Sequence, residues 1–181
     1  MRQIRPQAPM SSTRHFPFER VREHLLFQSL EDAEWQALTT ALLPSRFQPG
    51  HVIFQEGDPS SDLYVILSGV VELRRQYVRH PGDYLLATLH AGRVFGELSL
   101  LTGRRRSFTA VSLMEVQTLR LSTEGLILLP LEVQVKLYRA WSSIISERLY
   151  WIDSMFTDLL EQRGVENVAS AMALLHQRYP S

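Results

Sequence analysis

The spacing of hydrophobic residues along this 181-residue chain changes twice. The first pattern lies in "SLEDAEWQALTTALLP", residues 29–44, where Ser29 is a candidate N-cap. Apolar residues recur there at nearly helical intervals: Leu30, Ala33, Leu38 and Leu42. This pattern predicts one amphipathic helix that ends near Pro44.

From Phe47 to about Ser122 the hydrophobic positions instead form short β-rich runs. These are "HVIFQ", "LYVIL", "VVELRR", "YLLATLHAG", "SFTAVS" and "EVQTLRLS". Turn-forming segments such as "EGDPSSD" and "SG" separate them. Runs of this length and spacing predict a sandwich or roll of short antiparallel strands, so the core of the protein is expected to be all β.

After Ser122 the spacing is helical again, with a break at Pro130 and a stop signal at Gly164. The apolar positions of this segment are Tyr138, Trp141, Ile145, Leu149, Ile152, Phe156 and Leu159. A helix over 131–163 would be about 50 Å long and would extend past a small β-domain. The same helix of a second copy would cover its apolar stripe, which predicts a homodimer through residues 131–160. The alternative is a helix that folds back along its own roll.

Composition narrows the class of protein. With 45% hydrophobic and 21% charged residues, the chain fits one globular domain with a modest extension. Its formal net charge of zero argues against general attraction to nucleic acid or anionic membranes. The absence of cysteine excludes disulfides and thiolate metal sites. No apolar run approaches the roughly 20 residues that span a bilayer, so we expect a soluble, cytoplasmic protein.

These patterns predict four regions. Residues 1–15 are polar and are expected to be a disordered leader. Residues 16–130 would form the β-domain with its N-terminal helix, 131–163 the long C-terminal helix, and 164–181 a short terminal helix. The predicted fold class is mainly β with flanking helices (α+β).

The segment "GELSLLTGRRRSFTA", residues 96–110, is the best candidate for chemistry. "FGELSLL" has the look of a short helical turn after a strand, so its first amide groups would lack intrahelical partners. Gly96 permits close approach to the backbone, Glu97 is an acceptor, and three arginines follow. Such a cradle would suit a nucleotide. The alternative from composition alone is a surface loop with solvated charges.

Several motifs occur here in a defined order: E-G-D before a strand, L-Y-V-I-L-x-G in a hairpin, and F-G-E-L-x-L-L followed by R-S-x-T. Over roughly residues 27–160 the chain resembles the cyclic nucleotide-binding domain family. This family supplies the sensor of bacterial catabolite-activator-type regulators and of cyclic-nucleotide-dependent kinases and channels. The resemblance implies an eight-stranded antiparallel β-roll (jelly roll) with a long C-terminal helix, no enzymatic activity, and cyclic AMP or cyclic GMP as ligand.

The resemblance also assigns roles to individual residues of the motif. Glu97 falls on the acceptor of the ribose 2′-hydroxyl, and Gly96 and Leu98 fall on the backbone beside the sugar. Arg106 falls on the arginine that pairs with the cyclic phosphate, and Ser107 is its small polar neighbour. A guanidinium suits this role because it can meet two phosphate oxygens at once.

Five further residues are possible ligand contacts: Phe108, Thr109, Arg104, Trp141 and Ser142. Phe108 departs from the family pattern and would either crowd the pocket, stack on a base or, as strand alternation favours, join the core. In an extended stretch Arg104 would share a side with Arg106 while Arg105 faces away. Arg104 and Arg105 are interpreted as charged, solvent-exposed loop residues. The alternative is that they bind a second phosphate.

The predicted function is a cyclic-nucleotide-sensing regulatory module that relays binding through its C-terminal helices to a partner protein. Alternatives are a degenerate scaffold that binds no nucleotide, a cyclic di-GMP effector and a cupin-like enzyme. The enzyme is disfavoured because His51, His80 and His90 form no H-x-H pair for a metal. Residues 165–181 are too few and not basic enough for a helix-turn-helix, so direct DNA binding is not expected. Neither catalytic residues nor metal ligands are predicted.

Overall fold

The protein is mainly β, with helices at both ends of the β-domain. The computed structural model describes residues 21–22, 24, 26–59, 62–77 and 80–163. Its strands are β1 Leu43–Phe47, β2 Val52–Phe54, β3 Leu63–Ser68, β4 Val71–Tyr77, β5 His80–Leu89, β6 Val94–Phe95, β7 Thr109–Ser112 and β8 Val116–Leu121. Its helices are α1 Asp32–Ala41, α2 Glu97–Thr102, α3 Thr123–Ile127 and α4 Leu131–Arg163. The leader and the short terminal helix predicted from the sequence lie outside the described residues.

The described strands form two four-stranded antiparallel sheets, with strand orders β1-β8-β3-β6 and β2-β7-β4-β5. Both sheets contribute to one hydrophobic cluster, which we call the roll core. Its buried members are Phe54, Tyr64, Ile66, Val71, Leu73, Phe95, Ala110 and Val116. The predicted fold class, an eight-stranded antiparallel roll with flanking helices and a long C-terminal helix, is confirmed.

Helix α1 begins and ends differently from its prediction. Its N-cap is Glu31, which forms a capping box with Glu34 at the third helical position, so the proposal of Ser29 was wrong. The helix ends at Ala41 because the next residues enter β1, where Pro44 pairs with Leu119 of β8. A side-chain ion pair of 2.6 Å between Glu34 and Lys136 of α4 adds to its packing.

Described residues up to Tyr138 form one compact unit, and those from Arg139 onwards form a second. The boundary therefore falls within α4, about two turns after the helix begins at Leu131. Large apolar side chains of the second unit are exposed: Leu149, Tyr150, Trp151, Ile152 and Met155. Over the described part of the chain, helices lack a segment with both the length and the hydropathy needed to cross a bilayer.

Candidate functional site

The predicted helical turn is present and is bounded by two glycines. Helix α2 follows β6 directly, and Gly96 is its N-cap with a φ of 81°. Gly103 ends the helix with a φ of 64°, and its amide donates to the Ser99 carbonyl at 2.9 Å. Both φ values lie in the left-handed region that glycine adopts without steric cost. We call residues 96–107, which contain this helix and the following loop, the cassette.

Gly96 is required for a second reason, which is the closeness of its neighbours. A Cβ atom at this position would lie 2.5 Å from Nη1 of Arg106 and 2.7 Å from the backbone oxygen of Asp62. These distances are too short for carbon. The missing side chain therefore lets the guanidinium of Arg106 approach the start of α2.

Arg106 is the central side chain of the cassette. It is only 2% exposed, and its Nη1 donates to the Gly96 carbonyl at 3.0 Å. Its Cζ lies 4.0 Å from the ring centroid of Phe54 and 5.9 Å from that of Tyr64. A buried guanidinium needs such hydrogen bonds and ring contacts because they replace the water it has lost.

The backbone around Arg106 is held by the turn between β2 and β3. The Arg106 amide donates to the Asp58 carbonyl at 3.0 Å, and the Gly57 amide donates to the Arg106 carbonyl at 2.8 Å. The carboxylate of Asp58 in turn accepts from the Gln55 amide at 2.8 Å, which closes that turn. The E-G-D motif thus serves as scaffold for the arginine.

Glu97 is buried in the same region, at the first residue of α2 and 2% exposed. Burial lowers the pKa of the Arg106 guanidinium, and four ionisable groups act in the opposite direction: Tyr64, Asp62, Asp58 and Glu97. Arginine nevertheless stays protonated at any physiological pH. A buried carboxyl group, Glu97, thus directly follows the residue whose carbonyl accepts from the buried guanidinium of Arg106.

Tyr64 is one of the groups that affect the pKa of Arg106, and it is also a member of the roll core. Burial raises its pKa to about 12, and the negative charge of Asp62 adds to the effect. The phenol is consequently neutral at physiological pH. Asp62 itself is paired with Arg120 at 3.0 Å, which keeps its carboxylate in place beside the cassette.

The arginines next to Arg106 are placed differently from it. Arg104 and Arg105 are both exposed, and Nη1 of Arg105 donates to the Gly57 carbonyl at 2.8 Å. The shared side expected of Arg104 and Arg106 in an extended stretch is not observed, since Arg104 is exposed and Arg106 is buried; this segment precedes β7, which begins at Thr109. The three arginines therefore do not form one phosphate-binding cluster.

The remaining predicted contacts occupy varied environments. Leu98 and Ser107 are exposed on the cassette. Phe108 is half-buried and packs against the roll core, with its ring centroid 6.0 Å from that of Phe54, so the core role favoured by strand alternation is confirmed. The Thr109 hydroxyl accepts from the Glu56 amide at 3.0 Å.

Two of the possible ligand contacts lie on the long helix. Trp141 and Ser142 are residues of α4 in the second compact unit. Their contact with a ligand stays a prediction.

Sequence reasoning missed the aromatic side of the site. Phe54 lies in "HVIFQEGD", where it looks like any other apolar residue of a short strand. Its contact with Arg106 joins two segments that are distant in the sequence. An aromatic residue two positions before the E-G-D motif was the one available signal, and it does not indicate which charged side chain the ring contacts.

Comparison with known proteins identifies the family. A family model described as "Cyclic nucleotide-binding domain" matches residues 44–129. Over 159 residues the chain is 31% identical to the CRP-like cAMP-activated global transcriptional regulator of Mycobacterium tuberculosis, covering 85% of this chain and 68% of that protein. The chain belongs to the cyclic nucleotide-binding domain family. This family is regulatory rather than catalytic.

Other members of the cyclic nucleotide-binding domain family extend the similarity. Over 92 residues the chain is 36% identical to the cAMP-dependent protein kinase regulatory subunit of Dictyostelium discoideum, covering 49% of this chain and 28% of that protein. The crystal structure of the Thermus thermophilus catabolite activator protein superimposes with a TM-score of 0.66 at 29% identity. That match covers 76% of this chain and 63% of the Thermus chain, so the chain spans less than two thirds of that relative's length.

No cluster of three or more His, Asp or Glu side chains suited to a metal ion occurs within the described part of the chain. The family assignment, and not this absence, argues against the cupin-like enzyme, because the chain belongs to the cyclic nucleotide-binding domain family.

Proposed function

We propose that this protein is a cyclic-nucleotide-sensing regulatory module. Arg106 binds the cyclic phosphate, Glu97 accepts the ribose 2′-hydroxyl, Gly96 and Leu98 contribute backbone beside the sugar, and Ser107 lies next to the phosphate. The observation that carries this proposal is that Glu97 and Arg106 are each 2% exposed, and that Nη1 of Arg106 donates to the carbonyl of Gly96, the residue directly before Glu97. A buried cation and a buried acceptor suit a ligand with one anionic group and one hydroxyl.

The charge of the site favours a cyclic mononucleotide. A cyclic phosphodiester carries one negative charge, which one buried guanidinium can balance, and the names of the relatives point to cyclic AMP. Cyclic GMP is the second candidate. Cyclic di-GMP carries two phosphates and would need a second buried cation, whereas Arg104 and Arg105 are exposed.

The non-binding scaffold is the main competing function. Its support in the sequence was Phe108, which would crowd the pocket. In the structure the ring of Phe108 packs against the roll core. Crowding by this residue therefore gives the scaffold no support, and the sensor is the better explanation of the buried arginine.

Removal of the Glu97 charge tests the sugar contact. Glu97→Gln is expected to weaken cyclic AMP binding about tenfold, because hydrogen bonds to charged groups contribute about 1.5–3 kcal/mol. The same variant should bind 2′-deoxy cyclic AMP within about twofold of the unchanged chain, since that ligand has no 2′-hydroxyl to lose. Titration calorimetry with both ligands measures the two effects. Equal losses for both would show that Glu97 does not contact the 2′-hydroxyl.

We also propose that the module is a homodimer through residues 131–160. The exposed apolar side chains of α4 support it, because large exposed apolar patches mark interaction sites. Such a dimer would pass nucleotide binding to a protein partner by the difference in ligand affinity between its two arrangements. A cytoplasmic location and an unidentified protein partner belong to this proposal, and the zero net charge supports a protein rather than DNA.

Sedimentation tests the dimer. The unchanged chain is expected to sediment as a dimer at tens of micromolar, and Leu149→Glu combined with Ile152→Glu should yield monomers. Both side chains are more than half exposed on α4, so the substitutions place charge on an exposed surface without disturbing a core. Thermal unfolding of the variant serves as the control for folding. A monomeric unchanged chain at that concentration would contradict the proposed interface.

A further inference from the structure

Phe54 lies directly against the charged group of the cassette. It is the last residue of β2 and is 5% exposed, and its ring centroid is 4.0 Å from Cζ of Arg106. At that distance the guanidinium carbon lies over the ring, within the range of a cation–π interaction. Such contacts are strongest where water is excluded, and both side chains are buried.

The geometry of this contact favours anion binding. A guanidinium that stacks on a ring through its face directs its N–H bonds outward in its own plane. In this plane Nη1 of Arg106 reaches the Gly96 carbonyl at 3.0 Å. Stacking therefore fixes the orientation of the plane without using the hydrogen bonds that a phosphate would need.

The ring of Phe54 is itself held by other rings. Its centroid lies 5.8 Å from that of Phe95, 6.0 Å from that of Phe108 and 6.1 Å from that of Tyr64. Aromatic rings at these separations pack favourably and restrict one another's motion. The ring of Phe54 is thus held in place by its neighbours. Phe108, which departs from the family pattern, is one of them.

We propose that Phe54 is a positioning residue for the ligand: its ring carries the face of the Arg106 guanidinium and so presents the edge of that group to the cyclic phosphate. This inference rests on the proposed function. It assigns part of the affinity for the phosphate to a side chain that does not touch the ligand.

The first test replaces the ring by an aliphatic side chain. Phe54→Leu is expected to weaken cyclic AMP binding about tenfold, within the range of a desolvated cation–π interaction. Phe54→Met should give a similar loss, because methionine fills comparable space with no aromatic face, and it replaces Phe54→Leu if that variant fails to fold. Phe54→Tyr keeps the ring and should stay within about threefold of the unchanged chain.

Phe47→Leu is the matched control. Phe47 also packs against the roll core, but its ring contacts are with Tyr64 and His51, at 6.2 and 5.5 Å between centroids. The same substitution there is expected to change affinity by less than about threefold. A tenfold loss in both variants would mean that binding depends on the packing of the roll core in general and not on the contact between Phe54 and Arg106.

A double-mutant cycle separates positioning from a general structural effect. In an Arg106→Ala background, Phe54→Leu should change cyclic AMP affinity by less than about twofold, since the group it positions is gone. An undiminished tenfold effect in that background would overturn the inference, as would unchanged binding by Phe54→Leu alone. Failure of the unchanged chain to bind cyclic AMP is a different result, because it would overturn the proposed function on which the inference rests.

Discussion

Arg106→Ala is expected to weaken cyclic AMP binding by between about tenfold and a hundredfold. The range follows from the roughly 1.5–3 kcal/mol that hydrogen bonds to charged groups contribute. The buried guanidinium beside Gly96 is the one arginine of the cassette that is not exposed. Its loss leaves the phosphate without its principal counter-charge. Titration calorimetry on the variant and the unchanged chain measures the difference.

Arg105→Ala is the control for this experiment because it removes the same charge one position earlier. Arg105 is exposed, and its hydrogen bond is to the Gly57 carbonyl. Exposed charges interact weakly with a ligand because solvent and salt screen them. We expect a change of less than about twofold. Equal losses from the two substitutions would mean that the cassette attracts phosphate through its general charge.

Gly96→Ala is expected to damage both the fold and the site. The left-handed backbone costs a non-glycine residue about 1–2 kcal/mol, and forcing an atom into a packed position costs about 1–3 kcal/mol more. The new methyl group would lie 2.7 Å from the Asp62 carbonyl oxygen, which belongs to the backbone, and would displace Nη1 of Arg106. Urea unfolding should show a loss of about 3 kcal/mol, and affinity for cyclic AMP should fall at least about tenfold.

Gly103→Ala provides the matched comparison at the other end of α2. Its φ of 64° is also left-handed, but a Cβ there would meet no atom within 4 Å. The expected cost is therefore the backbone term alone, about 1 kcal/mol, with cyclic AMP affinity within about twofold of the unchanged chain. If the two alanines behaved alike, the closeness of Arg106 to Gly96 would be irrelevant to binding.

The strands that sequence predicts best are those that place several apolar side chains in the interior. β3 and β8 fall in the runs "LYVIL" and "EVQTLRLS" because both contribute several side chains to the interior. β1 was missed, since "LPSRF" contains a proline and alternates weakly; its extended shape comes from pairing with β8. β6 has only Val94 and Phe95, too short for any periodicity.

The same distinction applies to the site. The order of motifs in the sequence pointed to Glu97 and Arg106, and both prove to be buried in one place. Local alternation also anticipated that Phe108 joins the core. Alternation did not anticipate that Arg104 is exposed while Arg106 is buried; this segment lies before β7, and the backbone of Arg106 is hydrogen-bonded to the E-G-D turn. Phe54 could not be found because its partner depends on the tertiary fold.

Titration calorimetry of cyclic AMP into the unchanged chain tests the proposed sensor most directly. We expect saturable binding with one cyclic AMP per chain, with cyclic GMP as the second mononucleotide ligand and cyclic di-GMP bound much more weakly. The absence of heat with all three ligands, together with an unchanged melting temperature, would contradict the sensor and favour the scaffold.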